Sequence, residues 1–205
     1  MNSKEDCAFE LSYIKKEHDI SGNKLISEIR IEHGKILAKK HPVKVDYVVP
    51  IPETAIFYAQ GYALETKIPL VHAIYKNRPK PKTLFVKNRR ALIKKVFTVM
   101  PNFIRNKKIV LIDETIISGL SLITILEMVK NLNPKELHLR LANPPMIKQC
   151  PSNNFGEKWT YNGHLIKNSK YIDSFKHLEL ETIEKFAKCC YCFGGVNDES
   201  KVVRY

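Results

Sequence analysis

The sequence predicts an α/β domain with a mainly parallel sheet flanked by helices, on three observations. First, strand-like stretches alternate with helical patterns from residue 22 to residue 142. Second, "KKIVLIDETIISGLSL", residues 107–122, sets the apolar run Ile109–Ile112 directly before Asp113 and a hydroxyl-rich turn, as a short buried strand ending at a charge would. Third, 205 residues with 44% hydrophobic content are enough for one domain with a sizeable core.

The elements follow in chain order. Residues 22–40 place Leu25, Ile26, Ile29, Ile36 and Leu37 near helical spacing. "VDYVV", residues 45–49, reads as a buried strand ended by Pro50, and "TAIFYAQGYALETK" as a helix entered from Thr54. "IPLVHAIY" is a second strand candidate. Residues 76–95 are basic and broken by proline, which predicts mostly a mobile loop. A strand at 108–112, a helix near 120–131 and a strand at 136–142 come next. Residues 143–178 have an irregular pattern, and "LELETIEKFAKCC" reads as a short final helix.

The net charge of +13 points to a polyanionic partner, either nucleic acid or a small phosphate-rich ligand, against the plainer reading of a solvated lysine-rich surface. Zinc-finger spacing, an aromatic RNA-binding signature and a basic heptad region are all missing, which argues against nucleic acid. No run approaches the length of a membrane span, and the N-terminal stretch is charged early, so a cytoplasmic protein is expected. The five cysteines are an odd number, which argues against a disulfide framework; Cys189 and Cys192 form a C-x-x-C that is weak evidence for metal or redox chemistry by itself.

In open α/β sheets, ligands sit at the carboxyl ends of the strands, and two unusual turns fall there: "PIPETA" and "DETIISGLS". The second suits a phosphate. Gly119 permits close backbone approach, Thr115, Ser118 and Ser121 offer hydroxyls, and a helix N-terminus follows. Asp113 and Glu114 would repel phosphate, so they would hold sugar hydroxyls or Mg²⁺ instead. The competing reading is an ordinary strand–turn–helix with Ser, Thr and Gly as caps.

An apolar strand, two acids and a Thr/Ser/Gly turn resemble the phosphoribosyl pyrophosphate (PRPP) motif of type I phosphoribosyltransferases. "VVPIPETA", "AQGYALETKIPLVHAIYKNR" and "DETIISG" follow in the order found in the transferase half of the glutamine PRPP amidotransferase family. "CAFELSYI", "SEIRIEHGKILA" and "CCYCFGG" extend the likeness over nearly all of residues 5–197. The resemblance implies a type I phosphoribosyltransferase fold with an irregular C-terminal segment. It also implies one domain over residues 1–205 that lacks the family's glutaminase domain, and transfer of phosphoribose from PRPP to ammonia, or another amine, to give 5-phosphoribosylamine in purine synthesis.

It assigns catalytic roles to Asp113, Glu114, Lys76 and Arg78, the two basic residues screening pyrophosphate. Substrate contacts fall to Glu53, Thr54, Thr115, Ser118, Gly119 and Ser121, and Mg²⁺ to Thr54, Asp113 and Glu114. Cys7, Cys150, Cys189 and Cys192 match the family's four cluster ligands, implying a [4Fe–4S] cluster with Zn²⁺ as the alternative, whereas Cys190 has no assigned role. The partners implied are PRPP, an amine and a separate glutaminase subunit; a homo-oligomer is compatible with the resemblance. The motif departs from the family's usual two aspartates at Glu114, from its arginine at Ser118, and from its paired threonines at Leu120 and Ser121. Pro79 to Lys82 also replace a loop segment that usually holds a glycine. These departures carry the alternative: a catalytically weak protein that binds PRPP or a nucleotide.

Overall fold

The computed structural model describes residues 7–77, 88–150, 166 and 169–195. At its centre lies a four-stranded parallel sheet in the order β3-β6-β7-β8: β3 Tyr47–Pro50, β6 Lys108–Asp113, β7 Glu136–Leu141 and β8 Ser174–His177. A short hairpin, β1 Ile20–Ser21 with β2 Lys24–Leu25, precedes the first helix. Two strands outside the sheet, β4 Ile74–Lys76 and β5 Phe97–Val99, pair antiparallel. The helices are α1 Ile26–Lys40, α2 Ile56–Thr66, α3 Arg89–Val96, α4 Leu120–Lys130 and the single turn α5 Leu180–Ile183. Among the described residues no helix is long and apolar enough to cross a membrane.

Strand alternation explains the layers. Val48, Val110 and Ile112 face the core under α1 and α2, whereas Val49, Ile109 and Leu111 face the core under α4. The run from Ile109 to Ile112 is therefore apolar throughout because both faces of β6 are covered. On one face α1 and α2 cross at Gly34 and Gly61. A Cβ on Gly34 would collide with the Tyr58 carbonyl, and one on Gly61 with the Ile31 carbonyl. Backbone cannot yield as a flexible side chain does. Gly34→Ala is expected to cost about 1–3 kcal/mol or more and to lower the melting temperature by roughly 5–10 °C. An unchanged thermal midpoint would show that the helices separate without penalty.

Several sequence expectations need correction. "IPLVHAIY" does not form a strand of the parallel sheet. Its backbone touches β3 at one bridge, Leu70 to Val48, and then diverges so that Ile74–Lys76 pairs with β5. Within the expected loop 76–95, residues 89–96 form α3. Asn88 caps this helix by accepting from the Arg90 and Ala91 backbone N–H groups, and the helix packs on α4, where Lys94 meets Glu127 at 3.2 Å. Residues 78–87 of that loop, with Arg78, lie outside the described residues. The irregular region holds β8, which adds in parallel to β7 as the edge strand. The final helix shrinks to Leu180–Ile183. Helix α2 starts at Ile56 rather than Thr54, and β3 includes Pro50 as its last residue.

Candidate active site

Strand β6 delivers Asp113 to the carboxyl edge of the sheet, where it is buried at 7% exposure. Burial pushes its carboxyl well above the ordinary value, and the neighbouring Glu114 charge pushes it further. The Glu114 backbone N–H donates to Asp113 Oδ1 at 3.0 Å, so the two acids share one tight turn. Tyr13, from the N-terminal segment, lies close enough to feel both: its phenol is raised by burial, then by Glu114 and Asp113.

The turn ends at Gly119, whose φ of 76° lies in the left-handed region that favours glycine. Helix α4 begins at Leu120 without a side-chain cap from Gly119, so its positive end meets the turn. The hydroxyls differ. Ser121 is exposed and Ser118 half-buried, its Oγ 3.5 Å from the Leu120 N–H. Thr115 is buried, and its hydroxyl donates to the Pro144 carbonyl at 2.6 Å.

The turn after β3 starts beside Asp113, because the Ile51 N–H donates to the Ile112 carbonyl at 2.9 Å. It carries exposed Glu53 and half-buried Thr54. Lys76, at the end of β4, reaches Glu53 Oε2 at 3.4 Å and so ties the β4–β5 pair to this turn. Both partners are solvent-exposed, so the pair orients more than it stabilises. Sequence reasoning missed Tyr13 and Asn143, which follows β7 and binds the Glu114 carbonyl. An exposed-looking aromatic and a lone amide carry no signal until the fold brings them to the turn.

A second cluster joins the two ends of the described chain. Cys7 and Cys189 form an isolated parallel bridge, and the Ala8 N–H donates to the Cys189 carbonyl at 2.9 Å. The Cys7 thiol hydrogen-bonds to Cys189; this contact and burial raise Cys7, while the same contact lowers Cys189 to about 6. Cys192 is pushed up to about 12 by burial and then by the adjacent Cys150 thiol, with Cys189 adding a smaller push. The four thiols thus form two pairs, Cys7 with Cys189 and Cys150 with Cys192. Cys190 stands apart, its thiol directed to the Ala187 carbonyl at 3.8 Å.

Among the described residues, no three His, Cys, Asp or Glu side chains gather as a group that could hold a metal ion. The donor chemistry nevertheless suits two kinds of group. The acid turn and Thr54 offer only oxygens, as hard Mg²⁺ requires, and a cation would offset the burial and the Glu114 repulsion that raise Asp113. The cysteines offer only thiols, suited to iron–sulfur or zinc.

The phosphoribosyl transferase domain model matches residues 23–142. An amidophosphoribosyltransferase of Methanocaldococcus jannaschii is 30% identical over 191 residues, covering 87% of this chain and 40% of that protein. The Archaeoglobus fulgidus amidophosphoribosyltransferase is 31% identical over 147 residues, covering 70% of this chain and 32% of that protein. Among solved structures, the glutamine PRPP amidotransferase of B. subtilis, complexed with ADP and GMP, superposes with a TM-score of 0.81 at 23% identity, over 97% of this chain and 48% of that one. The chain therefore spans less than half the length of these relatives, and the structural likeness speaks for the fold. With the parallel sheet, the acid turn at its carboxyl edge and the matching domain model, the chain belongs to the phosphoribosyltransferase domain family.

Proposed function

We propose that this chain transfers the phosphoribosyl group of PRPP to ammonia, releasing pyrophosphate and forming 5-phosphoribosylamine. The observation that carries the reading is the turn 113–119: a buried Asp113 beside Glu114, then Gly119 in a left-handed conformation at the start of α4. In this reading the 5′-phosphate sits against the N-terminus of α4 with Ser118, Gly119 and Ser121 around it. Thr115 supports the turn from within through its bond to Pro144. The ribose hydroxyls face Asp113 and Glu114. Glu53, Thr54 and Lys76 line the pyrophosphate side; the role the resemblance gives Arg78 falls outside the described residues.

The bond from ribose C1 to the pyrophosphate oxygen breaks and a bond from C1 to nitrogen forms; the nitrogen then loses a proton. Mg²⁺ held by Thr54, Asp113 and Glu114 would supply charge neutralisation to the leaving pyrophosphate. Cys7, Cys150, Cys189 and Cys192 would hold a [4Fe–4S] cluster, or Zn²⁺, as a structural tie between the chain ends. Ammonia comes from solution or from a glutaminase activity.

The test is pyrophosphate release by anaerobically purified protein given PRPP, Mg²⁺ and ammonia. Release that depends on both ammonia and Mg²⁺ supports the reading. The Thr115 hydroxyl, occupied by Pro144, together with Leu120 at the start of α4, favours a second reading: a protein that binds PRPP or a nucleotide with little turnover. Saturable PRPP binding without pyrophosphate release identifies that case, and absence of both sinks the two readings together.

A further inference from the structure

The segment after β7, residues 142–146, gives the chemistry above only the Pro144 carbonyl that holds Thr115, yet it runs along the acid turn and is tied to it step by step. The Ala142 N–H donates to the Asp113 carbonyl at 3.0 Å, and the Met146 N–H to the Ile116 carbonyl at 2.9 Å. At Glu114 the tie is double. Asn143 gives its backbone N–H, at 2.9 Å, and its side-chain Nδ2, at 3.0 Å, to the same Glu114 carbonyl oxygen. Two donors on one acceptor fix the peptide that carries the second acid.

The side-chain orientation of Asn143 is dictated by this contact. Flipping the amide would set its oxygen against the Glu114 carbonyl, acceptor against acceptor. The consequence lies on the other side: Asn143 is fully buried and its Oδ1 has no hydrogen-bond partner among the described residues. An orphaned buried acceptor is destabilising, so something else must select this arrangement. Tyr58 of α2, also buried, sets its hydroxyl among the side chains of Asn143 and Ser12. Arg30 lies under the Tyr58 ring at 6.0 Å and donates to the Leu11 carbonyl at 3.1 Å and the Lys15 carbonyl at 2.9 Å. Asn143 thus stands where the N-terminal segment bearing Tyr13, helix α2 and the acid turn meet.

We propose that Asn143 is a positioning residue that holds the Glu114 peptide, and through it the Glu114 carboxylate, in the geometry the acid pair needs, with Tyr58 packed behind it. The kinetic part of this proposal rests on the reading of Glu114 as a ribose- or Mg²⁺-facing acid; the hold on the turn does not.

The test compares Asn143→Asp, Tyr58→Phe and Val129→Ala with the unchanged full chain. Asn143→Asp keeps the shape and removes both Nδ2 protons. Val129→Ala is a core truncation in the last turns of α4, away from the acid turn, and controls for lost stability alone. For Asn143→Asp, kcat falls about tenfold or more and the half-saturating Mg²⁺ concentration rises severalfold, as misplacing a reacting group predicts. Backbone amides of residues 114–119 exchange with deuterium about tenfold faster than in the unchanged chain. Val129→Ala, with its stability loss measured alongside, leaves kcat and the Mg²⁺ requirement within about twofold. Tyr58→Phe shifts the same quantities in the same direction by less, and adding it to Asn143→Asp gives less than the product of the two single effects, because the two residues act through one contact.

Kinetic constants for Asn143→Asp within about twofold of the unchanged chain, or an equal change in Val129→Ala, overturn the proposal. If the unchanged chain neither binds nor consumes PRPP, the functional reading fails, and amide exchange decides this one. Acceleration confined to 114–119 supports the hold by Asn143, and unaltered exchange there overturns it.

Discussion

Asp113→Asn is expected to abolish PRPP turnover, by about a hundredfold or more, while making the protein more stable at neutral pH. The two effects share one cause. Asp113 is buried at 7% exposure beside Glu114, and both conditions disfavour its charged form. Its folded pKa lies well above the ordinary 3.8, so across the interval between them the native state binds more protons than the unfolded chain. Stability therefore falls as pH rises from about 3.8 towards the folded pKa, and stays low above it. Asparagine has no such charge to bury, so the variant loses this part of the pH dependence.

Mg²⁺ separates the explanations. A cation held by Asp113 and Glu114 stabilises the folded state by mass action, and more so at higher pH, where it no longer competes with a proton. The unchanged chain gains melting temperature with Mg²⁺, and Asp113→Asn gains little. Glu114→Asp, which restores the family's usual acid, retains turnover within about tenfold. Undiminished pyrophosphate release by Asp113→Asn, or an equal Mg²⁺ response in both proteins, removes the proposed role of this carboxylate.

The part of this site that was legible in the sequence is the part written in contiguous residues. Ile109–Ile112 is apolar on both faces because helices cover both faces of β6, and Gly119 marks the turn because the chain there needs a positive φ. Asp113, Glu114 and Gly119 could thus be placed at a strand's carboxyl end from spacing alone. Helix α3 was not legible. Its eight residues, "RRALIKKV", include four basic ones, and its apolar side matters only once α4 is there to receive it. Strand β8, "SFKH", has a half-polar edge pattern that ordinary loops share. Lys76 and Glu53 were each singled out, but their ion pair depends on β4 leaving the parallel sheet to pair with β5, and no periodicity encodes that. Asn143 was invisible for a related reason: its partner is a backbone carbonyl reached through the register of β6 against β7.

Protein purified without oxygen is expected to be brown, to contain iron and sulfide, and to bleach in air. The argument starts from where the thiols lie. Cys7 opens the described chain, Cys189 and Cys192 lie near its other end, and Cys150 follows the segment that braces the acid turn. Backbone bonds already bring these places together: Ala8 to Cys189 at 2.9 Å, and Ile147 to Cys192 at 2.9 Å. The thiols meet in pairs, Cys7 with Cys189 and Cys150 with Cys192. Contact with Cys189 and burial raise Cys7, and burial and contact with Cys150 raise Cys192, so without a metal these thiols stay protonated and pack as small apolar groups. With thiolate ligation the same burial becomes protection for the bound group, and a link closing so long a loop restricts the unfolded chain. Cys7→Ser, Cys150→Ser, Cys189→Ser and Cys192→Ser should each lower iron content and melting temperature together, whereas Cys190→Ser, whose thiol faces the Ala187 carbonyl, should alter neither iron content nor colour. Colourless anaerobic protein carrying stoichiometric zinc would select the tetrahedral thiolate alternative. Full iron retention after changing both Cys189 and Cys192 would remove the ligand assignment altogether, because the C-x-x-C contributes one thiol to each of the two touching pairs.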